Sequence, residues 1–307
     1  MISRIYVIAK GGILCFSKNF ICPSEVEDDL ISGFLTAISG FAKAVKVGEI
    51  KSLNFKNFNF FYSYSSEYDC MFIIVTDIED LEDEVREKVE LMKVEFINRY
   101  HEYLEDWTGK TQMFESFDEF IEEHIYIPPK VLFVGETGVG KTTIIDLFPG
   151  ETILDIDDDM NEIIEKSVDI TNLGNIKQFI LREIDLEDLI THSKQYETLL
   201  NICDIICIIT NSAASNLRRT KKLFLKLKKK VRKADFYIIA NFQDLKETSF
   251  EPKEIEETFS VQTYGFSAIQ EDSARNIFII MNEILKSSIY NKIQMKQEQV
   301  SEIENSN

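Results

Sequence analysis

The stretch Val131–Thr143, VLFVGETGVGKTT, decides the fold of this chain. It contains the pattern G-x-x-x-x-G-K-S/T in full, from Gly135 to Thr142, behind the apolar run Val131–Val134 and ahead of a short helical pattern, Thr142–Phe148. That strand, loop and helix order is the context a phosphate-binding loop requires. Its glycines let backbone N–H groups turn inward around a phosphate, Lys141 is placed to reach the β- and γ-phosphates, and the Thr142 hydroxyl to hold Mg²⁺. The nucleotide-binding candidates here are Gly135, Glu136, Thr137, Gly138, Val139, Gly140, Lys141, Thr142 and Thr143.

Outward from this loop, 307 residues suggest two domains, and 44% hydrophobic content supports burial of a core in each. No apolar run is long enough to span a bilayer. The opening MISRIYVIAKGG is read as too short and strand-like for a signal peptide. With Ile2 at the second position no myristoylation signal is expected, and with the ending Asn305-Ser306-Asn307 no prenylation signal. Cys15, Cys22, Cys70, Cys203 and Cys207 include no C-x-x-C, so reduced, buried thiols in a cytoplasmic protein are expected. His101, His124 and His192 are scattered and suggest no metal cluster. A net charge of −19 argues against nucleic-acid binding over the whole surface.

Ahead of the loop, Ile5–Ala9 and Ile13–Phe16 flank Gly11-Gly12 and predict a β-hairpin. Ser24 and Glu27 form a capping box. Val26, Leu30, Phe34, Ile38, Phe41 and Val45 then recur at helical spacing as the expected buried stripe. Strands are expected over Glu49–Phe55, Phe58–Ser65 and Tyr68–Thr76, separated by Lys56-Asn57 and Ser66-Glu67. A long helix, Glu79–Leu104, should bury Val85, Val89, Met92, Phe96 and Tyr100. The order β-β-α-β-β-β-α over residues 1–106 resembles a longin domain, a roadblock- or profilin-like module. The resemblance implies a non-enzymatic domain that binds a protein partner or a second copy; a generic α+β domain is the alternative.

Residues 107–128 are expected to be a helical linker. Thr108-Gly109-Lys110-Thr111 imitates the end of a phosphate loop, but Leu104 stands where the first glycine belongs. Phe114, Phe117, Phe120 and Ile121 predict an amphipathic helix that docks on one domain or between the two, stopped by Pro128-Pro129.

Beyond the loop, Pro149-Gly150 ends the helix and leads into a loop bearing Asp155, Asp157, Asp158 and Asp159. Strands are expected over Glu162–Thr171 and Ile176–Ile184 around the turn Asn172–Asn175, then at Asp204–Thr210, Phe236–Ala240 and Val261–Tyr264. Helices are expected over Ser193–Ile202, Asn216–Lys233, Glu251–Phe259 and from Asp272 into the 290s, with Ile277, Met281, Ile284 and Leu285 inward. The tail Gln297–Asn307 should fray. This is an α/β sheet, mostly parallel, with one antiparallel hairpin.

Residues 129–295 resemble the Ras/Arf-like small GTPases, in divergent form. After the phosphate loop, the family's D-x-x-G falls at Asp185-Leu186-Glu187-Asp188, its N-K-x-D at Asn241-Phe242-Gln243-Asp244, and its S-A-K at Ser267-Ala268-Ile269. The resemblance implies that Asp244 accepts two hydrogen bonds from guanine and rejects adenine. It implies that Asn241 bridges loops, that the Ser267-Ala268 backbone reaches guanine O6, and that Asp185 holds Mg²⁺ through water. Phe242 replaces the lysine that covers the base, and a phenyl ring can do the same. A strand-end Asx turn is the alternative for Asn241–Asp244.

The catalytic side departs from the family. Asp188 replaces the glycine that meets the γ-phosphate, and Leu189 the glutamine that orients the attacking water. Thr152 is the one threonine available to the first switch, and His192 or Gln195 are weak substitutes for the glutamine. Slow or partner-dependent hydrolysis is expected, and a pseudo-GTPase adaptor is the alternative. A P-loop ATPase of another class is opposed by Asn241 and Asp244. The basic helix Arg218–Lys233 offers its cationic face to anionic lipid or an acidic partner, or is a solvated helix that offsets the acidic surface. The combined expectation is a guanine-nucleotide-binding regulator in trafficking or signalling with a protein-interaction domain.

Overall fold

The computed structural model describes residues 2–20, 28–45, 50–55, 58–76, 82–105, 107, 109–156, 162–173, 176–231 and 233–304. The chain divides into two compact units, Met1–Ile127 and Pro128–Asn307.

In the first unit, β1 (Ile2–Ala9) and β2 (Ile13–Asn19) form the expected hairpin, followed by α1 (Asp28–Ala44). Then come β3 (Ser52–Asn54), β4 (Asn59–Ser65), β5 (Cys70–Thr76) and α2 (Glu82–Glu105). The element order is the one the sequence predicts. The strands pair antiparallel in the order β2-β1-β5-β4-β3. Alternation along β5 sorts its side chains: Cys70, Phe72 and Ile74 face the core under α2, and Met71, Ile73 and Val75 face the other cluster. Every residue of β5 is therefore buried. Val85, Val89, Met92, Phe96 and Tyr100 of α2 are all buried, as their spacing requires. The capping box, Val26 and the Lys56-Asn57 separator lie outside the described residues, as do Thr108, Asp157–Asp159 and the Gly174-Asn175 part of the next hairpin's turn.

The stripe expected to be buried on α1 is exposed: Leu30 is 69% and Phe41 68% accessible, with Phe34 and Val45 also exposed and Ile38 half-buried. The helix instead presents Ser32, Leu35 and Ala42 inward, and the Ser32 hydroxyl donates to the Gly12 carbonyl. The cause is geometric. α1 has apolar residues on two adjacent strips, and its smaller residues let it approach the hairpin turn. Periodicity reveals that a helix has an apolar face but not which of two such strips docks.

Residues 112–127 belong to the first unit's core. A 3₁₀ turn (Gln112–Phe114), α3 (Phe117–Phe120) and a π turn (Ile121–Ile125) follow one another. Phe114, Phe117, Phe120, Ile121, Ile125 and Ile127 share a cluster with α2. The Phe96 ring lies 5.1 Å from Phe114 and 4.9 Å from Phe117. Lys18 Nζ reaches Asp118 at 2.6 Å and Glu122 at 2.8 Å. What the sequence presents as a linker is thus packed into the first unit.

The second unit begins with β6 (Lys130–Gly135), the phosphate loop and α4 (Lys141–Asp146). It continues through β7 (Thr152–Ile156), β8 (Glu162–Leu173), β9 (Ile176–Asp185), α5 (Leu186–Thr191), α6 (Glu197–Ile202), β10 (Ile205–Thr210) and α7 (Ala214–Lys228). It closes with β11 (Asp235–Ala240), α8 (Pro252–Phe259), β12 (Thr263–Gly265) and α9 (Ser273–Glu304). The sheet order is β12-β11-β10-β6-β9-β8-β7. β12, β11, β10, β6 and β9 run parallel to one another, and β8 and β7 add antiparallel pairs beyond β9. One apolar cluster joins α4 and α9 to the sheet, and a second joins α5, α6, α7 and α8, so helices cover both faces. The α/β architecture with a mostly parallel sheet is as expected.

Three expectations are corrected. The loop after Pro149-Gly150 contains β7, which pairs with β8 with Thr152 opposite Lys166. Edge pairing satisfies the backbone there although the residues alternate poorly. The D-x-x-G segment starts a separate helix, α5, because Asp185 caps it. The last helix continues through Glu304, where a frayed tail was expected.

Among the described residues no helix is long and apolar enough to cross a membrane. Cys15, Cys70, Cys203 and Cys207 are free and buried. Burial pushes the Cys70 and Cys203 thiols up to about 12.

Candidate functional site

Parallel pairing brings the carboxyl ends of β6, β9, β10 and β11 to one edge of the sheet. Gly135 stands opposite Asp185, and Thr210 opposite Ala240. Ligands of open α/β sheets bind at such an edge. A cavity of about 570 Å³ opens there, lined by the phosphate loop, Glu183, Asp185, Asp188, Tyr196 and Phe242.

The loop is fixed by what it packs against. A Cβ on Gly135 would lie 2.5 Å from the Ile209 carbonyl oxygen, so only glycine lets β6 turn beside β10 here. Gly140 has φ +92°, in the left-handed region, and a Cβ there would lie 2.4 Å from Asn241 Nδ2. Glu136 is buried; its carboxylate accepts from Asn216 Nδ2 and Thr220 Oγ1, each at 3.1 Å, and pairs with Arg219 Nε at 3.0 Å. The second loop residue is thereby tied to α7. Arg219 also pairs with Glu187 on α5, Lys221 donates to the Thr258 carbonyl, and Lys230, just past the end of α7, donates to Ser193. Part of the basic face of α7 thus serves contacts within the unit.

Lys141 is buried within the loop. Its Nζ donates to the Gly135 carbonyl at 2.9 Å and the Glu136 carbonyl at 3.2 Å, and lies 4.0 Å from both the Glu183 and Asp185 carboxylates. Thr142 and Thr143 are exposed toward the cavity. The Thr142 hydroxyl donates to the Glu183 carboxylate, at 2.9 and 3.0 Å to its two oxygens. Asp185 accepts from Thr137 Oγ1 at 3.0 Å and from the backbone N–H of Glu187 and Asp188 at 2.9 and 3.2 Å.

Two of the other three motif segments converge on the loop through Asn241, which is buried; the Asp185–Asp188 segment meets it through Thr137. Its Nδ2 donates to the Val139 carbonyl at 3.1 Å, and its Oδ1 accepts from the Phe242 N–H at 2.9 Å and the Ala268 N–H at 3.2 Å. Ser267 Oγ donates to Asp244 Oδ1 at 2.6 Å, and that carboxylate is half-buried. Phe242 adopts φ +64°, costly for a bulky residue, and its ring edge approaches Gly140. Gly135–Thr143, Asn241, Phe242, Asp244, Ser267 and Ala268 are therefore brought together. Two details differ from expectation. The Ala268 N–H, expected to meet guanine O6, is engaged by Asn241, and Ile269 is 80% exposed with its side chain turned to solvent.

The catalytic candidates fare differently. Leu189 is fully buried in the cluster under α7. Asp188 accepts from Tyr196 at 2.7 Å and bonds His192 Nδ1 at 2.8 Å. The Tyr196 hydrogen bond, with a smaller contribution from His192, holds the Asp188 carboxyl below its ordinary range. His192 thus braces Asp188, and the Gln195 backbone caps the same turn by donating to the His192 carbonyl. Thr152, exposed on β7, does not line the cavity.

Sequence reasoning missed Glu183 and Tyr196. Glu183 precedes Asp185 by two on β9, so strand alternation puts both side chains on one face. That spacing was a signal available in the sequence. Burial raises the Glu183 carboxyl above its ordinary value, against the lowering by Thr142 and Lys141. The Thr142 hydroxyl with the Glu183 and Asp185 carboxylates is an all-oxygen donor set of the kind Mg²⁺ takes beside phosphate oxygens. Among the described residues no group of three or more His, Cys, Asp or Glu is placed to hold a metal by itself. These residues fit a metal that arrives with a phosphate ligand.

No protein-family model matches the chain, and no curated protein matches it. Among solved structures, the G domain of the T. maritima FeoB iron transporter is similar at 17% identity and a TM-score of 0.38, over 54% of this chain and 99% of that one. A mutant S. thermophilus NFeoB bound to GDP is similar at 15% identity and a TM-score of 0.39, over 51% of this chain and 61% of that one.

Proposed function

We propose that the second unit binds GTP or GDP with Mg²⁺ as a divergent small-GTPase-like domain. One observation carries this reading: Asn241 joins the phosphate loop, the Asn241–Asp244 segment and the Ser267-Ala268 segment by three hydrogen bonds, while Ser267 orients Asp244. An Asx turn alone would need neither the bond to Val139 nor that to Ser267.

In this reading Lys141 leaves the loop carbonyls to meet the β- and γ-phosphates. Asp244 accepts from the guanine edge, and Phe242 covers one side of the ligand. Mg²⁺, held by Thr142 and neighbouring carboxylates, supplies charge neutralisation between phosphates. Isothermal titration tests this: GTP and GDP with Mg²⁺ bind at micromolar affinity or tighter and ATP far more weakly, and Lys141→Ala weakens binding by about 2–5 kcal/mol. Equal affinity for ATP would remove the guanine reading.

A second reading is favoured by the burial of Leu189 and the internal bonds of Asp188. Here the domain is a pseudo-GTPase adaptor in which nucleotide is a fixed part. Single-turnover assays with and without cell extract separate the two, because a partner's arginine can add about 10³–10⁵-fold only if a water can still be aligned.

The first unit we read as a longin-like interaction module. The exposed stripe Leu30, Phe34, Phe41 and Val45 supports a protein partner or self-association. The remaining cations of α7 keep peripheral contact with anionic lipid as a further proposal, tested by vesicle co-sedimentation.

A further inference from the structure

We propose that Glu183, more than Asp185, makes nucleotide binding at this site depend on a divalent cation. The inference rests on the guanine-nucleotide reading above and identifies the residue that positions the metal ligand Thr142.

The bonding of the two carboxylates separates their roles. Asp185 is committed to the protein: it accepts from Thr137 and from two backbone N–H groups at the start of α5, which fixes it as a helix cap. Glu183 accepts from the Thr142 hydroxyl through both oxygens. A hydroxyl has one proton and two lone pairs. Donating that proton to Glu183 leaves the Thr142 lone pairs for a cation in the cavity that both residues line. Glu183 thus sets the orientation of the hydroxyl that the loop offers to metal.

Charge acts in the same direction. Two carboxylates stand 4.0 Å from the single Lys141 ammonium, so this end of the cavity carries an excess negative charge before any phosphate enters. Glu183 is largely buried, where its charge is poorly screened. A nucleotide without metal brings a polyanion against it. A divalent cation converts the repulsion into a bridge. Tyr196 and Asp188, on the same cavity, do not relieve it: Asp188 is itself anionic, and Tyr196 already donates to it.

The test compares GDP binding in MgCl₂ and in EDTA, read with a fluorescent GDP analogue, for the full chain and for Glu183→Gln, Glu183→Leu and Asp185→Asn, each first checked for native circular dichroism and melting. The wild-type chain should lose about 100-fold or more in affinity in EDTA. Both Glu183 variants should compress this ratio to about tenfold or less, chiefly by binding GDP more tightly without metal, and Asp185→Asn should compress it less. A wild-type ratio retained in whichever Glu183 variant folds, or a collapse in Asp185→Asn alone, overturns the proposal. Failure of the wild-type chain to bind GDP in MgCl₂ overturns the guanine-nucleotide reading itself, whereas binding insensitive to EDTA overturns the role of Glu183 alone.

Discussion

The two ends of the nucleotide site proposed for the second unit are built on different principles. At the base end, side chains join distant segments: Asn241 bonds the backbone of Val139 and Ala268, and Ser267 the Asp244 carboxylate. At the switch end, the carboxylates mix ranges: Asp188 bonds its near neighbours His192 and Tyr196, whereas Asp185 accepts both from the start of its own helix and from Thr137, and Glu183 from Thr142. The bonds of Asn241 and Ser267 tie separate loops to one another. Local bonds hold a segment in its own shape and leave no polar group aligned for water at Leu189. On the guanine-nucleotide reading, the contrast separates recognition from turnover within one site.

The largest expected effect tests the base end. Asp244→Ala should erase a guanine-over-adenine preference of about 10⁴-fold, because a carboxylate built for two donors rejects a base that lacks them. Competition binding of GTP and ATP measures it, and an unchanged preference would break the contrast at its stronger side. At the switch end, Leu189→Gln would introduce the glutamine that the small-GTPase reading calls for, but in name only. Leu189 is fully buried, so the amide enters an apolar cluster and should cost about 1–3 kcal/mol of stability. Melting temperature should fall with no gain in single-turnover GTP hydrolysis. A rise in hydrolysis would show that α5 can turn this residue outward.

A smaller effect concerns pH. The Tyr196 hydrogen bond lowers the Asp188 carboxyl, so its contribution to the order of α5 is present above the ordinary value of about 3.9 and is lost as pH falls through the lowered value. Tyr196→Phe should move that loss to higher pH, as read by hydrogen exchange of the amides of α5. Coincident acid profiles for the two proteins would show that this bond does not order the helix. Smallest in stability is Phe41→Asp on the first unit. An exposed side chain should change folding free energy by no more than about 0.5 kcal/mol and leave GDP affinity alone. If α1 docks a partner or a second copy, light scattering or pull-down changes. A large loss of stability would instead mean that the stripe is part of a core.

How far the sequence could be read varies with the kind of constraint. The phosphate loop was legible because its chemistry is local: glycines at fixed offsets, then Lys141 and Thr142. The buried stripe of α2 was legible because one face of that helix is apolar and the rest charged. α1 misled because two neighbouring strips are apolar and the hairpin chose the one with Ser32 and Ala42. β7 was missed because an edge strand is specified by its partner's free hydrogen-bonding groups more than by its own alternation. Glu183 was missed because its role depends on Thr142 from another strand's loop.

The sequence by itself therefore determined the glycine-lysine loop between β6 and α4 and the order of the elements on either side of it. Only the tertiary structure decided which face of α1 is buried, that residues 112–127 join the first core, and that Glu183 takes the Thr142 hydroxyl. The physical reason is the range of the interactions. Backbone conformation and period are set by neighbours in the chain, whereas the choice among equivalent faces and the pairing of charges are set by residues that only folding brings within a few ångströms.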